Sequence, residues 1–178
     1  MLTDSHTHLY LKDFNADLNT VVENALNNKV DRFLLPNIDE NTISSLLDLH
    51  KKNPAIFFPL LGLHPCSVKK NFIKQLEELY EYINLHPFIG IGEIGIDLYW
   101  DKTFLEEQKE ALAIQIDWSK RHNLPIVIHS RDSFKEIYSI VSKEKNETTT
   151  GIFHCFSGTY QEALDICHKI LRGAKNLT

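Results

Sequence analysis

Long apolar runs are missing from this 178-residue chain. No stretch approaches the ~18 residues that a membrane-spanning helix needs, so no helical membrane protein is expected. The opening Met-Leu-Thr-Asp-Ser-His has neither the basic nor the apolar segment of a secretory leader. Cysteine is scarce. Cys66, Cys155 and Cys167 are odd in number and form no CxxC pair, which speaks against a disulfide framework and fits a reducing, cytoplasmic setting. Low-complexity tracts, Pro-rich linkers and composition breaks are missing as well, so one domain spanning 1–178 is expected, long enough to bury a sizeable core. Positive charge is in deficit: the net charge is −5 with histidine neutral. That argues against a general nucleic-acid coat. It does not exclude a nuclease, because bound divalent cations supply local positive charge. Histidine, by contrast, is plentiful, with nine in one small domain.

Short apolar runs alternate with longer amphipathic stretches. The runs are Leu2–Ser5, Arg32–Pro36, Ile56–Leu63, Phe88–Ile96, Pro125–His129 and Gly151–Phe156. Between them Asp17–Asn27, Asn41–His50, Phe72–Ile83, Phe104–His122, Phe134–Val141 and Tyr160–Leu171 carry apolar residues at helical spacing. A repeated β-α order at roughly 30 residues per unit predicts a parallel sheet covered by helices. An open doubly wound sheet and a (β/α)8 barrel both satisfy the alternation.

The polar residues discriminate further. The predicted strands run into Asp4-Ser5-His6-Thr7-His8, His64-Pro65, Glu93 to Asp97, His129-Ser130-Arg131 and His154-Cys155. In both folds the carboxyl ends of parallel strands form the functional face, but a barrel gathers all of them around one rim. Imidazoles and carboxylates collected there suit a divalent metal. His6 and His8, two apart on a strand, point to the same side and can chelate one ion; alone, an HxH is also an ordinary exposed polar patch. Glu93 lies inside an apolar run, where an unpaired carboxylate is costly and a cation offsets the cost; local backbone donors are the alternative. His129 and His154 each follow apolar strand residues and project from strand tips. His64 is a candidate for contacting a substrate phosphate or donating a proton, or else a turn histidine. Arg131 is a candidate phosphate fork, or an ordinary surface arginine. Gly90, Gly92 and Gly95 spell GxGxxG but open no helix directly, so close backbone approach is the better reading than dinucleotide binding. His50, His86, His122 and His168 fall on helices or loops and read as structural or solvent-facing.

Taken together, these residues resemble the TatD family of metal-dependent hydrolases. The matching blocks are DSHTHL at Asp4–Leu9, GLHP at Gly62–Pro65, IGEIGID at Ile91–Asp97, PIVIHSRD at Pro125–Asp132 and FHCFSGT at Phe153–Thr159. Five blocks in the family's order carry far more weight than any one. The resemblance implies a TIM-barrel-like α/β fold. It implies two divalent ions (Mg, Mn or Zn), with His6 and His8 holding one, His129 and His154 the other, and Glu93 bridging them. His64 would sit near the substrate phosphate. The implied activity is two-metal hydrolysis of phosphodiester bonds in DNA, as a 3′→5′ exodeoxyribonuclease.

The family pattern continues for two more units and carries a late E-T-D block whose aspartate is a metal ligand and base. Nothing after His154 matches it, so the expectation is an incomplete barrel of about six of eight units, with impaired catalysis and open edges through which copies could self-associate. Two other functions share the same ligands: a catalytically inactive metal-binding or interaction protein, and a barrel hydrolase acting on a small-molecule ester, lactone or amide.

Overall fold

A computed structural model describes residues 1–167. The tail Arg172–Thr178, His168 and the far end of the helix expected over Tyr160–Leu171 lie outside the described residues. Strand and helix alternate throughout: β1 (Leu2–Asp4), α1 (Leu18–Asn27), β2 (Val30–Pro36), α2 (Ile43–Lys52), β3 (Phe57–Leu61), α3 (Phe72–Tyr80), β4 (Gly90–Asp97), α4 (Leu105–His122), β5 (Ile126–Arg131), α5 (Phe134–Glu144), β6 (Gly151–His154) and α6 (Tyr160–Asp165). Each apolar run becomes a strand and each amphipathic stretch a helix, with ends displaced by a few residues. Local polar chemistry sets several of these ends. Asp39 Oδ1 accepts the N–H groups of Asn41 and Thr42, so α2 opens at Ile43 rather than Asn41. Asn123 adopts a left-handed conformation (φ 51°) that closes α4. Thr159 and Glu162 form a reciprocal capping box at the start of α6.

The six strands are all parallel and their spatial order is their sequence order, β1-β2-β3-β4-β5-β6. This decides between the two candidate architectures. A doubly wound sheet reverses its strand order at a switch point. Right-handed crossovers taken always in the same direction put every helix on one face, which builds the wall of a (β/α) barrel. β1 and β6 bound the described sheet.

The core lies between this wall and its helices. All eight residues of β4 are buried, with Ile91, Ile94 and Ile96 fully so. Helix α2 contributes Ile43, Leu46, Leu47 and Leu49; α4 contributes Ala111, Leu112, Ile116 and Trp118. Each fully buried side chain of this size contributes roughly 1.5–3 kcal/mol, and truncating Ile94 to alanine would cost about 2–5 kcal/mol. Helix α1 has no buried residue; its Leu18, Val21, Val22 and Ala25 pack half-buried at the margin. Among the described residues no helix is long and apolar enough to cross a membrane.

Candidate metal centre

Parallel pairing brings the polar tips level. His129 on β5 is in register with Gly95 on β4 and with His154 on β6. Close approach requires glycine at two points. A β-carbon at Gly62 would lie 2.7 Å from the Gly92 carbonyl carbon, and one at Gly95 (φ 149°) would lie 2.0 Å from the His129 carbonyl oxygen. The GxGxxG letters thus serve packing of β4 against its neighbours, as the sequence suggested.

Glu93 stands at the centre, only 2% exposed. Its Oε2 lies 3.0 Å from His6 Nε2, 3.7 Å from His64 Nε2 and 3.9 Å from His8 Nε2. Its Oε1 lies 2.9 Å from His129 Nδ1. Burial alone would raise its pKa, but hydrogen bonds from His129 and His6 and the nearby His64 outweigh it and hold the carboxyl below the usual carboxylate range. It is therefore anionic at neutral pH. A cavity of about 440 Å³ is lined by His6, His8, His64, Glu93, His129, Arg131 and His154. Every candidate site residue read from the sequence reaches it.

Hydrogen bonding assigns distinct roles to the ring nitrogens. A neutral imidazole has one N–H and one lone pair. Tyr10 donates its hydroxyl proton to the Pro36 carbonyl, so its oxygen accepts from His8 Nδ1 at 2.9 Å. That leaves the lone pair on His8 Nε2, which faces Glu93 and can ligate a cation. His64 is the opposite case. Its Nδ1 accepts the Cys66 N–H at 3.1 Å, so in the neutral ring Nε2 carries the proton and is a donor. Burial, only partly offset by Glu93, lowers the His64 pKa to about 4, so the ring is neutral at pH 7. His129 meets a carboxylate at each nitrogen: Glu93 at Nδ1 and Asp97 Oδ2 at Nε2, both 2.9 Å. Burial would lower its pKa, but Glu93 and Asp97 outweigh burial and raise it.

Two groups of potential ligand atoms lie within 4.8 Å of one another: His6, His8 and Glu93; and His64, Glu93 and His129. His154 was expected to partner His129. In the structure it is level with His129 across β5 and β6, its ring stacks on that of His6 with centroids 3.4 Å apart, and His64 joins the Glu93–His129 group. Burial and the neighbouring His6 lower the His154 pKa. His6 Nδ1 is buried with no hydrogen-bond partner, an uncompensated polar atom inside a cluster of imidazoles. A cation drawn to this donor set fits the residues present: one buried anionic carboxylate surrounded by imidazoles is chemistry for a divalent metal. His50 and His122 do play structural parts, with His50 Nδ1 bound to the Phe57 carbonyl and His122 Nε2 to the Tyr80 hydroxyl.

Sequence reading missed the residues that hold this site in place. Asp97, 3% exposed, orients His129. The signal was available, since Glu93, Gly95 and Asp97 alternate onto one face of β4. Asn37, at the end of β2, donates its N–H to Gly92 O at 3.1 Å and accepts the Glu93 N–H at 3.3 Å. Its side chain donates to Gly62 O at 2.8 Å. Two buried glutamines of α4, seven residues apart and so on one helix face, clamp two strand tips. Gln108 Oε1 accepts from Asp97 N (2.9 Å) and Gln115 Oε1 from Leu63 N (2.7 Å). Sequence reading treated α4 only as an apolar stripe.

Comparisons with known proteins agree with this fold. The profile of the TatD-related DNase family matches residues 3–173. The uncharacterized metal-dependent hydrolase YabD of Bacillus subtilis is 34% identical over 170 residues, covering 96% of this chain and 66% of that protein. Human deoxyribonuclease TATDN3 is 26% identical over 178 residues, covering 92% of this chain and 64% of its own length. Among solved structures, the Escherichia coli TatD homologue YjjV superposes with a TM-score of 0.84 at 28% identity, over 92% of this chain and 63% of that one. The chain thus spans slightly less than two thirds of the length of these relatives.

Proposed function

Because this chain belongs to the TatD-related DNase family, we propose that its histidine-lined cavity is the site of a divalent-metal-dependent hydrolase that cleaves phosphodiester bonds in DNA, removing nucleotides from a 3′ end. The observation that carries this reading is the Glu93 carboxylate, buried and anionic, with imidazoles facing both of its oxygens. One carboxylate presented to two histidine groups suits a pair of cations. His6 and His8 would hold one, His129 and His154 the other, with Glu93 between them. Imidazole-rich ligation favours Zn²⁺ or Mn²⁺; Mg²⁺ is the third candidate.

When bound, divalent cations supply Lewis acidity, which lowers the pKa of a water and offsets charge on phosphate oxygens. The protein's own residues do the rest. Tyr10 fixes the His8 tautomer so that Nε2 presents its lone pair. Asp97 turns His129 and keeps the proton on its Nε2 while Nδ1 faces Glu93. His64 donates Nε2–H toward the cavity, where it would hydrogen-bond a phosphate oxygen or the departing oxygen. Arg131, on the same wall, offers a planar fork to a neighbouring phosphate.

The test is degradation of end-labelled single-stranded DNA with Mg²⁺, Mn²⁺ or Zn²⁺, with and without EDTA. Metal-dependent loss of 3′ nucleotides, abolished by Glu93→Ala, supports the proposal. Metal uptake without cleavage would make the chain a binding protein. Turnover of an ester, lactone or amide without DNA cleavage would reassign the substrate. Self-association through the β1 and β6 margins is a subsidiary proposal, checked by sedimentation.

A further inference from the structure

The loop after β4 carries two large aromatic side chains in water, with Tyr99 54% and Trp100 72% exposed. Exposed tryptophan is unusual, because its large apolar face is ordinarily removed from solvent. The two rings meet edge to face at 4.8 Å. The guanidinium of Arg131 lies 3.8 Å from the Tyr99 ring centroid and 5.3 Å from that of Trp100. Arg131 also lines the histidine cavity, so the aromatic pair and the histidine cluster share one side chain.

A second link is stiffer. Asp97 Oδ1 accepts the N–H groups of Tyr99 (2.9 Å) and Trp100 (3.4 Å), while its Oδ2 contacts His129 Nε2 (2.9 Å). One buried carboxylate thus fixes both the backbone of the aromatic loop and the orientation of a candidate ligand. The position of the rings relative to the site is built in rather than left to a mobile loop.

We propose that Trp100, supported by Tyr99 and Arg131, is a stacking platform for an unpaired nucleobase of the substrate, next to the phosphate cleaved at the histidine cluster. The inference rests on the phosphodiesterase reading and adds the chemical class of the neighbouring group. Three features favour a nucleobase as occupant. The platform is flat and aromatic, a cation lies against it where a nucleotide carries its phosphate, and the chain is net negative, so stacking must supply attraction that general charge does not. Base–aromatic stacking tolerates any sequence because every base has a π-face.

Tryptophan fluorescence reads the event directly, because the only other tryptophan, Trp118, is 5% exposed. The metal-loaded protein is titrated with a short oligothymidylate carrying phosphorothioate linkages, and with the matching sugar–phosphate oligomer that lacks bases. The expected result is quenching by the first and not the second. With both oligomers carrying a terminal fluorescein and binding read by anisotropy, Trp100→Ala should weaken binding of the base-bearing oligomer by on the order of tenfold and leave the base-free one unchanged, with Trp100→Phe largely restoring it. Equal quenching by both ligands, no quenching, or equal loss of both ligands in Trp100→Ala overturns the platform. Selective quenching without cleavage of any DNA would leave the platform standing and sink the hydrolase reading. Cleavage with no discrimination between the ligands would do the reverse.

Discussion

Asp97 Oδ2 lies 2.9 Å from Nε2 of His129, on the far side of the ring from Glu93. A carboxylate behind a ligand histidine selects its tautomer, fixes its rotation and raises its basicity. Asp97→Asn keeps the shape and removes the charge. Metal affinity should fall about 10- to 100-fold with the fold intact, as read by calorimetric titration alongside circular dichroism. Unchanged affinity would show that Asp97 only caps the Tyr99–Trp100 loop.

Glu93→Gln strikes the centre. It retains the volume but removes the carboxylate that His6, His8, His64 and His129 all face. The loss in metal-dependent activity should exceed the 10- to 100-fold typical of an outer-shell partner, and metal stoichiometry should drop. Mass spectrometry under non-denaturing conditions would detect it. Full occupancy in the variant would sink the shared-ligand assignment.

The metal-free protein should show a defined pH dependence. The His129 pKa is raised in the fold by Glu93 and Asp97, against burial. Its contribution to stability is complete below the ordinary histidine pKa of about 6.5 and is lost as pH rises through the elevated value. The Glu93 pKa is depressed, so its contribution is present above the ordinary carboxylate range and lost only in strong acid. His8, His64 and His154, whose pKa values burial lowers, add stability as pH rises through about 6.5; once they have titrated, urea midpoints measured in EDTA should fall with further rise in pH, and His129→Gln should flatten that limb. Metal affinity should move the opposite way over the same interval, since a ligating nitrogen must first lose its proton. A rise in metal-free stability with alkaline pH would contradict the His129 geometry.

Gln115→Leu removes a side chain that satisfies Leu63 N and O at the tip of β3. Buried backbone groups left unpaired cost about 1–3 kcal/mol each. The variant should unfold at clearly lower urea and bind metal less tightly, because the next residue is His64. Gln108→Leu should act likewise at Asp97. Wild-type stability in both variants would mean that water replaces the amide without penalty.

Cation binding should itself stabilise the fold. A ligand at 100 times its Kd contributes about 2.7 kcal/mol when only the native state binds it. Thermal midpoints should rise with Mn²⁺ or Zn²⁺ and return to baseline with EDTA. A midpoint insensitive to both would rule out a native-state cation site.

The sequence by itself determined the alternation of strands and helices, because short continuous apolar runs such as Ile126–Ile128 and apolar residues at helical spacing such as Ile43–Leu49 are written locally. It also determined which side chains reach the rim, since the end of an apolar run marks the end of a strand. It could not determine strand order. That depends on each crossover stepping in the same direction, a property of no single segment, and the sequential sheet alone excludes the doubly wound alternative. Nor could it assign the ring nitrogens. That His8 offers a lone pair while His64 offers a proton follows from Tyr10, Pro36 and Cys66, partners that the fold selects. Asp97 was placed at a strand tip without a role, and Asn37, Gln108 and Gln115 escaped notice, for the same reason. A polar residue in a strand or on a helix looks ordinary until packing removes its water and leaves it one partner to satisfy.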